Sequence, residues 1–258
     1  MPNVFVESTA VQGAALTITG ETARYILTVL RYKTGGELFI FDETGRYFKG
    51  IITSCSKNAI QISVTPHPAP DTESPLSITL CQGLLKGSKM DIVVQKAVEL
   101  GVKRIIPLVT ARTQLDYTRK IDRWKKIAAE AARQSMRIVV PDIKEAMNFP
   151  TLTDTIHAVG ATAVMFYEGG GKGLKEIQNL EIKEKAIYVI TGPEGGFSSE
   201  EVKRAEHSGA VIATLGSRIL RAETAAIAAM TLVQFVYGDM GDRRGTSDDM
   251  TEKKRLEL

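Results

Sequence analysis

ITGPEGGFSSEE, residues 190 to 201, is the stretch whose reading decides the fold. It follows the apolar run Ala186-Ile187-Tyr188-Val189-Ile190 and precedes a charged segment with helical character. Gly192, Gly195 and Gly196 fall within five residues, and each costs backbone entropy on folding. A tight turn is one explanation. A ligand lying against the main chain is the other, because ligands bind parallel sheets outside the carboxyl ends of strands, where chain leaves strand for helix.

Working outward, the chain from residue 76 alternates the two grammars. SITLCQG, RIIPLVT, AVMFYEG, AIYVITG and AVIATLG read as apolar strands. SKMDIVVQKAVELG, DYTRKIDRWKKIAAEAARQSMR, SSEEVKRAEHSG and ETAAIAAMTLVQFVYG read as helices. Gly101 and Gly209 serve as stops, and Ser198 or Ser199 as an N-cap. This is an α/β pattern, a mostly parallel sheet with helices on both faces. Residues 1–70 differ: short β-branched or aromatic strands with one helix, ETARYILTVLRY, which suggests a small β-barrel. The proline-rich PHPAPDTESP, residues 66 to 75, separates the two. The expected division is a barrel over 1–70, an α/β domain over 76–240 and a polar tail over 241–258.

Composition limits the function classes. The 258 residues are 43% hydrophobic and 24% charged, as in soluble globular proteins. The absence of a long apolar run argues against a membrane span, and the N-terminus has no secretory pattern. Cys55 and Cys81 cannot form a metal site by themselves, and a reduced, cytoplasmic setting is the simplest reading. No metal is expected, and His67, His157 and His207 receive no role. The net charge of +3 is unevenly spread: residues 76–150 hold 14 Lys/Arg against 7 Asp/Glu. A basic centre points to a polyanion. On a helical wheel starting at Arg119, Arg123 lies at roughly 40°, Lys126 at about −20°, Arg133 at about −40° and Arg137 near ~0°. With Glu130 among them they form a ribbon suited to a phosphate backbone. Lys86, Lys89 and Arg112 lie in the same region of sequence.

A second unusual loop is LGSRILRAETAAIAAM, residues 215 to 230. Ala222, Ala225, Ala226 and Ala229 make a small-residue helix face, for which ordinary close packing is the bland explanation. Neither loop carries a Walker or GxGxxG signature. Together, two glycine-bearing strand exits, the second rimmed by Arg221 and Glu223, describe one pocket suited to an adenine and ribose held by main-chain groups.

GPEGGFSSEE with LGSRILRAETA resembles the small-subunit ribosomal RNA (uracil-N3) methyltransferases, the RsmE family of the SPOUT class. The likeness extends to Lys89-Met90-Asp91, Gln95-Lys96-Ala97, Glu99 to Val102, Arg123-Trp124, Glu130 to Ala132, Gln134, Arg137 to Pro141, Val29-Leu30-Arg31 and Phe41-Asp42. Asn3 stands where the family pattern has an arginine, Tyr25 where it has a histidine, and the Gly169 to Gly173 run is unusual. The resemblance implies an N-terminal PUA-like RNA-binding barrel and a trefoil-knotted α/β domain. It also implies a homodimer, S-adenosylmethionine as donor, and one uridine of 16S rRNA in the small subunit as substrate. Carried onto this chain, the donor site is Phe166, Tyr167, Glu168, Gly192, Pro193, Glu194, Gly195, Gly196, Leu215, Gly216, Ile219, Leu220, Arg221, Thr224 and Ala225. Arg221 is expected to polarise the uracil carbonyls while Glu194 or Glu223 orients or deprotonates the base. Arg31, Lys86, Lys89, Arg112, Arg119, Arg123, Lys126, Arg133 and Arg137 are the expected RNA contacts. Two other functions fit the same residues: a methyltransferase of another RNA such as tRNA, and a non-catalytic RNA-binding assembly factor.

Overall fold

The computed structural model describes residues 2–42, 44–70, 72–113 and 120–241. Two compact units emerge. One holds the chain up to Glu73, Val94–Lys103 and a piece ending at Ile143; the other holds Ser74–Val93, a piece beginning at Arg104, and the chain from Lys144.

In the first unit, β1 (Asn3–Val6), β2 (Val11–Gln12), β3 (Ala15–Thr19), β4 (Glu37–Asp42), β5 (Tyr47–Cys55) and β6 (Ala59–Pro66) form one sheet in the order β1-β4-β5-β6-β3-β2. The β1–β4 pair is parallel and the other pairs are antiparallel. Inward residues alternate with outward ones, as half-buried strands require. Leu16 and Ile18 of β3 face Ile62 and Ile60 of β6, and all four are buried. Helix α1 (Gly20–Arg24) runs into a π-turn over Tyr25–Val29 and closes the apolar cluster with Ala23 and Ile26.

The chain continues through β7 (Ser77–Gly83), α2 (Lys89–Glu99), β8 (Arg104–Val109), α3 (Ile121–Gln134), β9 (Asp142–Ile143), β10 (Met147–Asn148), α4 (Phe149–Val159), β11 (Thr162–Phe166), α5 (Leu174–Ile177), β12 (Ala186–Thr191), α6 (Ser199–His207), β13 (Val211–Ala213) and α7 (Ala222–Tyr237). In the second unit the strands lie β10-β8-β7-β12-β11-β13, and every one of these pairs is parallel. Six successive residues of β7 are buried, the mark of a strand covered on both faces. Cys81, Phe149, Ile190 and Phe197 anchor the core of this unit. Cys55 and Cys81 are free thiols, the second buried.

The α/β pattern and the early strands agree with the sequence reading, but three helices, α3, α4 and the four-residue α5, differ. Helix α4 is absent from that reading because Pro150 and three threonines lower its propensity. Its ends were nevertheless encoded. The Asn148 side chain accepts from the Thr151 amide at 2.9 Å, and Gly160 closes the helix in the left-handed region at φ 57°. Helix α3 is shorter than expected. It stops at Gln134, and Met136 turns the chain at φ 60°. Arg119 and the tail from residue 242 lie outside the described residues.

Candidate active site

The neighbouring parallel strands β7, β12, β11 and β13 deliver their carboxyl ends to one side of the sheet. There a cavity of about 420 Å³ opens. Its walls come from three chain segments: the end of β11 (Phe166, Tyr167, Glu168), the glycine loop after β12 (Thr191 to Gly196), and the loop after β13 with the start of α7. Every residue expected at the donor site lines it except Thr224, which is exposed on α7. Thr191, Thr214, Arg218 and Ala222 join the walls, as does Lys89.

The glycine loop is bare because its neighbours come close. A Cβ at Gly192 would sit 3.1 Å from the Phe197 ring, and one at Gly195 would sit 3.0 Å from the Arg112 Cβ. At Gly196, φ is 68°, and a Cβ would lie 2.1 Å from Glu168 Oε1. The loop is then pinned from below. Gln82, fully buried at the end of β7, donates from Nε2 to the Gly83 and Gly192 carbonyls at 2.8 and 2.9 Å. Its Oε1 accepts from Thr191 Oγ1 at 2.8 Å. Gly83 lets the loop approach: a Cβ there would meet the Pro193 nitrogen at 2.4 Å. Both lay within the strand read as SITLCQG, but neither was singled out there. The available signal was a glutamine placed inside an otherwise apolar central strand, a position that demands partners.

Glu194 is the loop's strut. Its Oε1 accepts from the Lys86 amide at 3.0 Å and from Lys89 Nζ at 3.1 Å. Partial burial raises its proton affinity, but the Lys86 amide, its own amide and the Lys89 ammonium outweigh burial and hold the carboxyl below the ordinary value. A carboxylate so held is a poor base. Because the folded value lies below the ordinary 4.5, the contribution of Glu194 to stability is present above that pH and is lost as pH falls through the folded value. Glu194→Gln is therefore expected to destabilise by about 1 kcal/mol at pH 7. Thermal melts should show wild type and variant converging as the pH drops below the carboxylate range.

Arg221 is the N-cap residue of α7 and Glu223 lies in its first turn. The Arg221 side chain is exposed at the cavity. Glu223 Oε2 is buried without a hydrogen-bond partner, an arrangement that costs free energy unless a ligand offsets it. Main-chain walls and a volume within the usual range for small ligands suit an adenosyl donor.

The basic residues divide. The Lys86 main-chain amide and the Lys89 ammonium are engaged with Glu194, and Arg112 Nη1 donates to the Gly195 carbonyl at 2.9 Å, so Lys89 and Arg112 brace the glycine loop with their charged ends and Lys86 through its backbone. On α3, Arg123 and Lys126 are exposed. Arg133 instead pairs with Glu130 and lies over the Tyr25 ring, 4.7 Å from its centroid. Arg137, expected on the ribbon, is 2% exposed. The turn at Met136 takes it off the helix, and its guanidinium binds Glu73 at 2.6 Å and the Val98 and Val102 carbonyls at 2.9 Å each. That residue holds the first unit together and is corrected from an RNA contact to a structural one. Arg31 is exposed and sits at φ 57°, an uncommon conformation for arginine. The two departures from the family pattern have local uses. Asn3 is buried and accepts from the Tyr47 hydroxyl at 3.0 Å, and Tyr25 carries the Arg133 guanidinium.

Comparison with known proteins gives the same picture. Residues 72–234 match the RNA methyltransferase domain family, and residues 18–65 match the RNA methyltransferase PUA domain family. Ribosomal RNA small subunit methyltransferase E of Buchnera aphidicola (subsp. Acyrthosiphon pisum) is 33% identical over 93% of this chain and 95% of its own length. The Bacillus subtilis protein of that name is 31% identical over 91% of this chain and 96% of its own. The ribosomal RNA small subunit methyltransferase E of Neisseria gonorrhoeae, crystallised with S-adenosyl methionine, superposes with a TM-score of 0.85. It is 30% identical and covers 93% of this chain and 99% of its own. With the likeness running through both units and both loop motifs at one cavity, the chain belongs to the ribosomal RNA small subunit methyltransferase E family.

Proposed function

We propose that this protein transfers the methyl group of S-adenosylmethionine to N3 of one uridine in the 16S rRNA of the small ribosomal subunit. The observation that carries the reading is the cavity at the carboxyl ends of β12, β11 and β13, walled by both motif loops, in a chain so similar to a relative crystallised with that donor. When bound, the donor supplies an electrophilic methyl group. The chain's own residues hold the target base and manage its proton. Arg221, exposed at the cavity, faces the negative charge that develops on the uracil carbonyls as N3 loses its proton. Glu223, two residues on, takes that proton. Glu194, bound to Lys86 and Lys89, acts as the strut of the donor loop instead. Within this reading Glu223→Gln lowers kcat about 100-fold with little change in donor affinity. Single-turnover methylation and calorimetry would separate the two quantities.

RNA is gripped by exposed cations, among them Arg123 and Lys126 on α3 and Arg31 on the barrel. Reversing Arg123 and Lys126 to glutamate should weaken binding to small subunits and flatten its salt dependence by about two charges. An unchanged salt slope would remove α3 from the interface.

The reading also takes the boundary between barrel and methyltransferase domain near residues 71–75, and includes the family's trefoil knot, its homodimer and a cytoplasmic setting. Phe235, exposed near the end of α7, and Met240, exposed just beyond it, are apolar surface that a second copy would cover. Among the described residues no helix is long and apolar enough to cross a membrane, and no cluster of metal-binding side chains occurs. Donor binding by the isolated protein tests the reading against a non-catalytic assembly factor. Methyl transfer to small subunits but not to bulk tRNA tests it against a tRNA enzyme.

A further inference from the structure

Three carboxylates line the cavity, and among the described residues only one is both exposed and without a hydrogen-bond partner. Glu194 is bound by Lys86 and Lys89. Glu223 buries Oε2. Glu168, exposed just beyond β11, meets no hydrogen bond or ion pair among the described residues. Its carboxylate lies over the glycine loop, where a Cβ at Gly196 would stand 2.1 Å from Oε1 and 3.4 Å from Oε2. Gly196 thus leaves room for an anion on an otherwise main-chain wall. The position is at the carboxyl end of a parallel strand, where a carboxylate with two open acceptors matches the paired donors of a vicinal diol.

Resting on the donor reading above, we propose that Glu168 receives the 2′ and 3′ hydroxyls of the donor's ribose and so fixes the adenosyl group against the glycine loop. The same charge repels phosphate, so it also selects an adenosyl thioether or sulfonium over adenine nucleotides.

The test is calorimetry on the full chain and on Glu168→Gln, using S-adenosylhomocysteine, methylthioadenosine and the 2′,3′-dideoxy form of methylthioadenosine. Methylthioadenosine keeps the ribose but lacks the amino-acid end. The variant is expected to weaken the first two ligands by the same factor, about tenfold, with the melting temperature unchanged. The dideoxy ligand should bind wild type and variant alike. Weakening of S-adenosylhomocysteine alone would overturn the proposal, because the carboxylate would then be reading the ammonium group. Equal affinities in wild type and variant would overturn it too, as would loss of the dideoxy ligand to the same degree. A wild-type chain that binds none of the ligands would instead remove the donor reading itself, and the ribose assignment with it.

Discussion

Gly83→Ala is expected to lower kcat/KM by about 100-fold, although position 83 lies outside both motif loops. The added methyl would stand 2.4 Å from the Pro193 nitrogen and 2.7 Å from the Gly192 carbonyl carbon. Both are backbone atoms, so no side chain can swing aside, and the donor loop must move by about 1 Å. Misplacement on that scale far from the chemistry costs about two orders of magnitude in rate. The same shift stretches the Gln82 bond to the Gly192 carbonyl, at present 2.9 Å. The loss should therefore appear in donor affinity as well as turnover. Gly87→Ala is the control. It sits at φ 63° with nothing within 4 Å of a Cβ, so it should cost about 1 kcal/mol of backbone strain and leave donor binding intact. Calorimetry and steady-state kinetics on the two variants make the comparison.

Arg137→Met should destabilise the protein by about 3 kcal/mol, with a fall of roughly 6–12 °C in melting temperature. The Arg137 side chain is 3% exposed and Glu73 is 19% exposed. Removing the guanidinium takes its donors away from the Glu73 carboxylate and from the Val98 and Val102 carbonyls. Glu73→Gln should cost less, because Arg137 keeps both carbonyls and the amide oxygen can still accept. Were Arg137 a phosphate contact, the methionine variant would melt like wild type and lose RNA affinity; thermal melts paired with filter binding decide.

The parts of the fold legible in the sequence are those with strong local patterns. The glycine exits, the buried runs of β7 and β12 and a cap at Ser198 or Ser199 were readable because each rests on a few adjacent residues, and the structure selects Ser198. The Ser198 hydroxyl accepts from the Glu201 amide at 3.2 Å, with Glu201 returning the bond, as an S-x-x-E pattern requires. What escaped depends on distant partners. Helical angles put Arg137 on a cationic face because no local signal announces that Met136 adopts the left-handed region. Charge alone could not tell Arg133, which lies over Tyr25, from Lys126, which faces solvent. Gln82 and Gly83 stayed silent because their meaning lies in a loop more than a hundred residues away. The cavity was legible as two loops, whereas its third wall at Glu168 followed only from family likeness.

The central claim is that this chain methylates N3 of a uridine in small-subunit RNA. The direct measurement supplies small subunits from cells lacking the gene with the protein and labelled S-adenosylmethionine, then maps the label by mass spectrometry of RNA fragments. The account predicts one labelled uridine carrying an N3-methyl group. Unlabelled subunits from a protein that binds the donor would contradict it.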